Sequence, residues 1–339
     1  MRILFVKLAA LGDVSFALPV PQAIKSIDPQ CHITWVVGQT NQPLLAGLAG
    51  LDEVVEVDER RLYSKNLWSR LQELLKLKGN LHGQYDVILL AHRAVAYTMA
   101  FRLLSSAPIF QVQRHTAKVL DRLLRRQSVV VPSQTVHESV AIRKLLEGTF
   151  GKDLQAHWSW DYSHLADEPH DPHGPIVLHT GGGDNLANEF RLKKWPHFRA
   201  LIGKILDSDE RHIVLVGSSA EAAQASQLAE GLDRVRSLAG KTDIPQLVAV
   251  LSRASLFIGP DSGPLHIADS LGIPCVGLYG PTSVVSWGVL GKRSRALSSG
   301  ESCSPCYNDD GEFPQCPYDV KCMKNLDVGD AINNLLHLT

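Results

Sequence analysis

The 339-residue sequence contains no apolar run that approaches the ~20 residues of a membrane-spanning helix. It also lacks an excess of charge, because 34 Lys and Arg residues stand against 35 Asp and Glu residues, for a formal net charge of −1. Dedicated nucleic-acid-binding proteins are usually basic overall, so no nucleic-acid partner is expected. The composition is that of an ordinary globular protein.

Several catalytic motifs are absent as well. There is no H-E-x-x-H, no G-x-S-x-G and no acidic metal cluster, so metal-dependent hydrolysis and serine acyl transfer lose support. The glycine-rich stretch that begins at residue 179 fits neither the dinucleotide fingerprint nor the Walker loop.

The N-terminal stretch MRILFVKLAALGDVSFALPV is apolar enough to suggest a signal peptide. Lys7 and Asp13 interrupt it, however, and its first residues suit a buried strand. The sequence therefore predicts a mature cytoplasmic start.

Cysteine is scarce, with six residues, and four of them are clustered. Cys31 and Cys275 lie in apolar runs and are predicted to be core thiols. The others form a C-x2-C-x9-C-x5-C pattern: Cys303, Cys306, Cys316 and Cys322. In a cytoplasmic protein this pattern favours a structural metal over disulfides, although it lacks the second C-x2-C of a zinc ribbon. Metal binding, pairing and free thiols all remain open.

Short apolar segments alternate with amphipathic ones along the whole chain. Nine of them predict buried strands: ILFVKL, HITWVVG, DEVVEVD, YDVILLA, PIVLHT, HIVLVGSS, VRSLAG, LFIGP and IPCVGLYG. The predicted helices include Phe16–Ile27, Leu67–Leu77, Ala117–Arg126, Val136–Phe150 and Ile244–Ser255. Such alternation predicts an α/β fold of doubly wound parallel sheets.

The chain is longer than one hydrophobic core usually covers, so two domains are expected. Residues 161–174, DYSHLADEPHDPHG, are polar, aperiodic and typical of a linker. We therefore predict Rossmann-like domains over residues 1–165 and 175–325 and a C-terminal helix over 326–339. A ligand is expected in the cleft between the domains, beyond the carboxyl ends of the strands.

Polar residues follow the predicted strand LFIGP, as Asp261-Ser262-Gly263. Pro264 suits the first turn of a helix, whose free N–H groups favour a phosphate, and His266 could add a donor. GLYGPT supplies a second strand-end loop beside it. The alternative is a plain strand–cap–helix junction with a buried histidine.

Two other strand ends carry candidate groups. Asp13, in ALGD, either caps a helix that begins near Val14 or acts as a general base. The stretch HTGGGDNLANEFRLKKWP could bring Lys193 or Lys194 to a diphosphate, or could be a glycine turn with exposed lysines.

The segment between Arg60 and Arg126 is strongly basic, with Glu73, Asp86 and Asp121 as its only acids. Its basic residues are Arg60, Arg61, Lys65, Arg70, Lys76, Lys78, Arg93, Arg102, Arg114, Lys118, Arg122, Arg125 and Arg126. They form either a solvated face or a surface that attracts an anionic partner, such as a phosphorylated substrate or a membrane surface.

The ordered set of motifs resembles glycosyltransferase family 9, the ADP-heptose:lipopolysaccharide heptosyltransferases. The resemblance rests on strand-ALGD-helix, KKWP, D-S-G-x-x-H-x-A and GLYGPT, and also on YDVILLAHRAVAYTMAFRL and the four late cysteines. It implies a GT-B fold, with the acceptor on the first domain and the nucleotide sugar on the second. It further implies inversion at the anomeric carbon without a metal.

The resemblance also implies residue roles. Asp13 would be the catalytic base and Lys193 would steady the leaving diphosphate. The donor-binding residues would be Thr180, Gly181, Lys194, Asp261, Ser262, Gly263 and His266. The acceptor-binding residues would be Gly12, His92 and Arg93. The sequence departs from the family at Leu8 and Ala9, where members often carry basic or hydroxyl residues, and Lys194 could replace Lys193 by a one-residue slip. A buried histidine beside a surface arginine is the other interpretation of His92-Arg93.

The predicted activity is transfer of heptose from ADP-heptose to the lipopolysaccharide inner core, either lipid A–Kdo or a heptosylated acceptor. No cofactor is expected for catalysis. The enzyme would lie in the cytoplasm, peripheral to the inner membrane, where it meets a phosphorylated glycolipid. The alternatives are another GT-B nucleotide-sugar enzyme, such as an epimerase or a transferase with a different donor, and a non-catalytic glycan-binding relative.

Overall fold

The computed structural model describes residues 1–115, 118–132, 135–162, 171–182, 192–307 and 313–331. The chain forms two compact units, Met1–Ser159 and Trp160–Thr339. Residues 163–170 of the predicted linker, Gly183 with the rest of its loop to residue 191, and residues 332–339 of the predicted C-terminal helix lie outside the described residues. Of that last helix, residues 328–331 are described and helical.

The first unit contains six strands: β1 (Arg2–Val6), β2 (His32–Gly38), β3 (Glu53–Val57), β4 (Val87–Leu90), β5 (Ile109–Gln113) and β6 (Arg126–Val130). Its helices are α1 (Leu11–Ser15), α2 (Val20–Ile27), α3 (Glu59–Leu62), α4 (Leu67–Asn80), α5 (Val95–Leu104), α6 (Lys118–Leu123) and α7 (Glu138–Phe150). The strands are all parallel, in the order β3-β2-β1-β4-β5-β6. This is the Rossmann order, whose direction reverses between β1 and β4.

The second unit repeats this topology. Its strands are β7 (Ile176–His179), β8 (Ile213–Val216), β9 (Val235–Ser237), β10 (Leu256–Pro260), β11 (Cys275–Tyr279) and β12 (Arg295–Ser298). Its helices are α8 (Phe198–Ser208), α9 (Ala222–Ala229), α10 (Ile244–Ser252), α11 (Gly263–Ser270), α12 (Val284–Trp287) and α13 (Lys321–Lys324). The parallel order β12-β11-β10-β7-β8-β9 reverses direction between β7 and β10.

Both sheets are covered on their two faces, which explains why the strands are apolar runs and not alternating patterns. In the first unit, Leu4, Val6, Ile88 and Leu90 contribute to a core that is closed to solvent. In the second, Leu178, Ile258 and Val276 belong to a core that also includes Trp195. The predicted α/β fold with two doubly wound Rossmann-like sheets is confirmed.

Some predicted elements were wrong in their bounds or missing. The segment Ala117–Arg126 was predicted to be a single helix, but the helix ends at Leu123 and Arg126 begins β6. The strands β5, β6 and β12 were not predicted. Among the helices of the described ranges, none has the length and apolarity needed to cross a bilayer.

Candidate active site

Asp13 lies at the carboxyl edge of the first sheet, in the first turn of α1. The residue before α1 is Ala10, which offers no side-chain cap, so Asp13 is not the N-cap residue that one interpretation of the sequence proposed. The Asp13 Oδ1 atom lies 3.7 Å from the Nζ atom of Lys7. The Asp13 side chain is 32% exposed, whereas that of Lys7 is only 4% exposed. The site therefore presents a carboxylate to solvent with a buried cation behind it.

Lys7 follows β1 directly and is held by partners distant in the chain. Its ammonium donates to the carbonyl oxygen of Ala91 at 3.2 Å and to Glu138 Oε1 at 3.1 Å. Glu138 also accepts a hydrogen bond from Arg93 Nη1 at 3.0 Å. Burial opposes ionisation of Glu138, but the charges of Lys7 and Arg93 outweigh it and lower the pKa of the carboxyl to about 2. The three groups form an ion network in which Lys7 and Glu138 are buried and Arg93 is half-buried.

His92 follows β4, next to β1 in the sheet, and binds the backbone that leads to Asp13. Its Nε2 atom accepts a hydrogen bond from the N–H of Leu8 at 2.7 Å, which assigns the ring proton to Nδ1. Burial, and then the charge of Lys7, hold the pKa of the imidazole well below its usual range. The ring stacks on Tyr97, with centroids 4.0 Å apart and planes 9° apart.

Ala9 has a φ of 105°, which is unfavourable for a residue with a side chain. Side chains from other elements hold it there. Glu59, in α3, accepts the N–H of Ala9 at 2.8 Å, and Asn41 donates to its carbonyl oxygen at 2.7 Å. Burial raises the pKa of Glu59, and the neighbouring carboxylate of Asp13 raises it further. We call Glu59, Asn41 and His92 the loop clamp.

The predicted donor-side residues meet at the matching edge of the second sheet. Lys193 Nζ lies 2.9 Å from Asp261 Oδ2 and 3.1 Å from the Asp261 carbonyl oxygen. His266 Nε2 lies 2.8 Å from Asp261 Oδ1. Burial disfavours the ionised carboxyl, but Lys193 and His266 outweigh it and hold the pKa of Asp261 well below its usual range. Lys194 instead lies exposed, 3.4 Å from the Gln224 Oε1 atom.

Ser262 occupies the N-cap position of α11, yet its side chain does not cap the helix. Its hydroxyl lies 2.9 Å from His179 Nδ1, and His179 Nε2 lies 3.2 Å from Glu221 Oε2. All three side chains are buried. The strand register explains the contact, since Leu178 pairs with Ile258 and His179 comes next. The first-turn N–H groups of α11 are left uncapped by Ser262.

The remaining predicted residues are placed around these groups. Thr180 is buried directly after β7. At Gly181 an added Cβ would lie 1.5 Å from Glu221 Oε1, so only glycine fits beside that carboxylate. Gly263 begins α11, and Gly12 lies buried in α1. The roles assigned to these residues, and the acceptor role of His92 and Arg93, stay predictions.

The four late cysteines are free thiols beside the GLYGPT loop. Cys306 donates its N–H to the Pro281 carbonyl oxygen at 2.9 Å. Burial raises the pKa of Cys306, and the neighbouring Cys316 and Cys303 raise it further. Within the described ranges, no group of three or more His, Cys, Asp or Glu side chains could hold a metal ion. The arrangement therefore gives the predicted metal site no support.

Six residues described at this site were not singled out from the sequence: Lys7, Asn41, Glu59, Glu138, His179 and Glu221. Two of them carried a usable signal. Lys7 and His179 close predicted strands, and polar residues at the carboxyl ends of parallel strands commonly face ligands. Glu221 stands three residues after Ser218 in a capping box, which indicates only a helix start.

Comparison with known proteins agrees with this architecture. A profile of the family described as glycosyltransferase family 9 (heptosyltransferase) matches residues 74–315. The lipopolysaccharide heptosyltransferase 1 of Pseudomonas aeruginosa is 28% identical over 316 residues, covering 90% of this chain and 86% of the relative. That of Salmonella typhimurium is 26% identical, covering 89% and 95%. The solved structure of E. coli heptosyltransferase WaaC with ADP shares the fold, with a TM-score of 0.76 over 100% of both chains at 22% identity.

Proposed function

The chain belongs to glycosyltransferase family 9, and from that premise we propose that it transfers heptose from ADP-heptose to the lipopolysaccharide inner core, with inversion and without a metal. Its similarity to lipopolysaccharide heptosyltransferases over most of their length supports the reaction class. Solved structures of the same fold contain ADP and ADP-2-deoxy-2-fluoro heptose, which supports an ADP-linked donor.

The observation that carries the proposal is the buried Lys193–Asp261–His266 cluster at the start of α11. Lys193 and His266 bring a cation and an imidazole to the Asp261 carboxylate, and the helix N-terminus that Ser262 leaves uncapped adds partial positive charge. A diphosphate gains negative charge as the bond to the sugar breaks, and fixed donors of this kind stabilise it. We assign the donor diphosphate to this cluster.

Asp13 supplies the other half of the chemistry. Its carboxylate takes the proton of the acceptor hydroxyl while that oxygen attacks the anomeric carbon from the face opposite the diphosphate. The bond between the anomeric carbon and ADP breaks, and ADP leaves with the electron pair. A single displacement of this kind inverts the anomeric centre. Lys7 sits 3.7 Å behind Asp13, and an opposite charge favours the ionised carboxylate that a base must be.

The first test is a thermal-shift comparison of ADP, UDP and GDP on the purified protein. A ligand that binds only the folded state raises its stability by RT ln(1 + [L]/Kd), so the shifts rank the affinities. A preference for ADP supports the donor assignment. A preference for UDP or GDP overturns it.

The second test is direct assay. Lipid A–Kdo and its heptosylated form are each incubated with ADP-heptose in EDTA, and ADP release and product configuration are measured. Transfer with inverted configuration supports the proposal, and the acceptor that is used identifies the heptosyl position. Conversion of the donor without an acceptor would instead identify an epimerase.

A further inference from the structure

Helix α4 has an apolar face that no other part of the first unit covers among the residues described. Leu67, Leu71 and Leu75 are spaced four residues apart and lie on one side of the helix, and Trp68 lies beside them. Their exposed fractions are 76%, 45%, 59% and 66% for Leu67, Leu71, Leu75 and Trp68 respectively. The side of α4 that packs on the unit carries Glu73 and Leu77, both buried. We call the four exposed residues the α4 face.

Within residues 60–80, every exposed charged side chain is basic. Residues 60–80 contain six exposed basic side chains: Arg60, Arg61, Lys65, Arg70, Lys76 and Lys78. The only acid in that range is Glu73, which is 1% exposed and accepts the N–H of Asp58 at 2.9 Å. The exposed surface of this segment therefore combines leucine, tryptophan and cationic groups with uncharged polar residues.

This combination is specific in what it can bind. Monomeric soluble proteins rarely expose contiguous large apolar side chains, so the α4 face indicates a partner. A helix that carries leucine and tryptophan with lysine and arginine is typical of one that lies in the plane of a membrane interface. Basic side chains close to an anionic leaflet add attraction for its headgroups. The neighbouring α5, which packs against α4, exposes Met99 and Leu103 as well.

We propose that the α4 face docks on an anionic phospholipid bilayer, with Leu67, Trp68, Leu71 and Leu75 at the boundary between headgroups and acyl chains and the neighbouring Lys and Arg residues at the headgroup phosphates. The inference rests on the proposed function in one respect: a glycolipid acceptor is held in such a bilayer. The docking surface itself is argued from α4 alone. No described helix spans the membrane, so this contact is a peripheral one.

The full-length protein is tested by co-sedimentation with vesicles of phosphatidylglycerol and phosphatidylethanolamine (1:3) and with vesicles of phosphatidylcholine alone. Binding to the anionic vesicles is expected to exceed binding to phosphatidylcholine at least tenfold and to fall with added salt. The double variant Leu71→Gln/Leu75→Gln is expected to lower the anionic partition coefficient at least tenfold. Val285→Gln, which changes an equally exposed apolar residue in the second unit, is the matched control and is expected to leave it unchanged.

Trp68 offers a second readout at the α4 face itself. Among the residues described, Trp68 is the only tryptophan that is exposed; Trp35 and Trp195 are buried, and Trp158, Trp160 and Trp287 are half-buried. Anionic vesicles are expected to shift the tryptophan emission to shorter wavelength and to allow quenching by brominated acyl chains. Trp68→Phe should remove both signals without lowering sedimentation by more than about twofold.

Equal binding of wild type and the Leu71→Gln/Leu75→Gln variant, or equal binding to both kinds of vesicle, would overturn the proposal. The proposal would also be overturned if the wild type were a dimer, the double variant were a monomer and the two bound vesicles equally. The α4 face would then be an interface between two copies of the chain. Transfer to a deacylated, water-soluble acceptor is measured separately and should be unchanged in the double variant. If the wild type binds vesicles but transfers no heptose, the proposed function is refuted and the docking proposal is not affected.

Discussion

Asp13 is the residue on which the proposed chemistry depends most directly. Asp13→Asn keeps the size of the side chain but removes the proton acceptor, so kcat is expected to fall roughly 10²–10⁴-fold. The affinity for ADP should stay the same, because the diphosphate is assigned to residues of the other unit. Initial rates and calorimetric titration with ADP check the two halves of this prediction. A variant with full activity would place the base elsewhere.

The adjacent lysines provide a matched pair. Lys193 is buried against Asp261, whereas Lys194 is exposed beside Gln224. Lys193→Met is expected to weaken ADP binding at least tenfold, because the diphosphate loses its nearest fixed cation. Lys194→Met should change it less than twofold. Titration of both variants decides the register, and a larger effect at Lys194 would mean that the assignment is off by one residue.

The loop clamp makes a prediction about positioning. Glu59→Ala removes the acceptor that holds Ala9 at its positive φ, so kcat is expected to fall about tenfold with the donor KM unchanged. Glu59→Gln retains an acceptor oxygen and should retain most of the activity. Ala9→Gly placed in the Glu59→Ala background should restore part of it, because glycine adopts that φ at little cost. Failure of both rescues would contradict the positioning role.

The sequence pointed to some residues of the site and gave no sign of others, for a physical reason. Asp13, Lys193 and Asp261 stand in local motifs that can be recognised without knowing the fold. The partner of Lys7 is Glu138, 131 positions away, and the partner of Ser262 is His179, 83 positions away. Only the strand order brings such pairs together, so a linear pattern gives no sign of them.

At the scale of elements, α7 is held on the first sheet by its apolar side chains and by one buried acid in its first turn. Glu138 lies in its first turn, and its pKa is lowered from 4.5 to about 2. The stabilisation is complete above the unfolded pKa and is lost as the pH falls from about 5 through 2, and a shift of this size corresponds to about 3 kcal/mol. Stability measured against urea should therefore decline across this range.

Glu138→Gln isolates that contribution. The variant removes the carboxylate that pairs with both Lys7 and Arg93, and breaking a buried pair costs roughly 3–5 kcal/mol. Its loss of stability at pH 7 should be accompanied by a shallower decline between pH 5 and 3 than in the wild type. Glu56→Gln, at an exposed position of β3, is the control and should change neither quantity. An unchanged acid slope in Glu138→Gln would refute the account.

The three strands that were not predicted from the sequence, β5, β6 and β12, all lack a continuous apolar run. In β5, Gln111 is fully buried and accepts from Arg126 Nη1 at 2.6 Å, while Arg126 Nε donates to Asp121 Oδ1 at 2.7 Å. These polar groups are satisfied only by tertiary partners, so the segment shows no continuous apolar run. β6 and β12 are edge strands, which are open on one side and can be polar. The buried apolar strands, by contrast, could be predicted from their continuous apolar runs.

At the scale of the whole molecule, one winding pattern occurs twice, and in each unit the candidate residues gather where the strand order reverses. The alternation of apolar and amphipathic segments was enough to predict this architecture. Because the donor is assigned to the second unit, ADP is expected to slow amide hydrogen exchange at 179–182, 217–221 and 259–266. Exchange measured by mass spectrometry with and without ADP tests this. Protection confined to the first unit would reverse the assignment of substrates.

Gly38, at the end of β2, has a consequence for the history of the sequence. A Cβ at this position would lie 2.1 Å from Glu59 Oε2, so any larger residue would push that carboxylate away from the N–H of Ala9. Positions 38 and 59 are therefore not free to drift separately. A homologue with a larger residue at position 38 is expected to carry a shorter or uncharged residue at position 59. Positions 38 and 59 should therefore covary among homologous sequences.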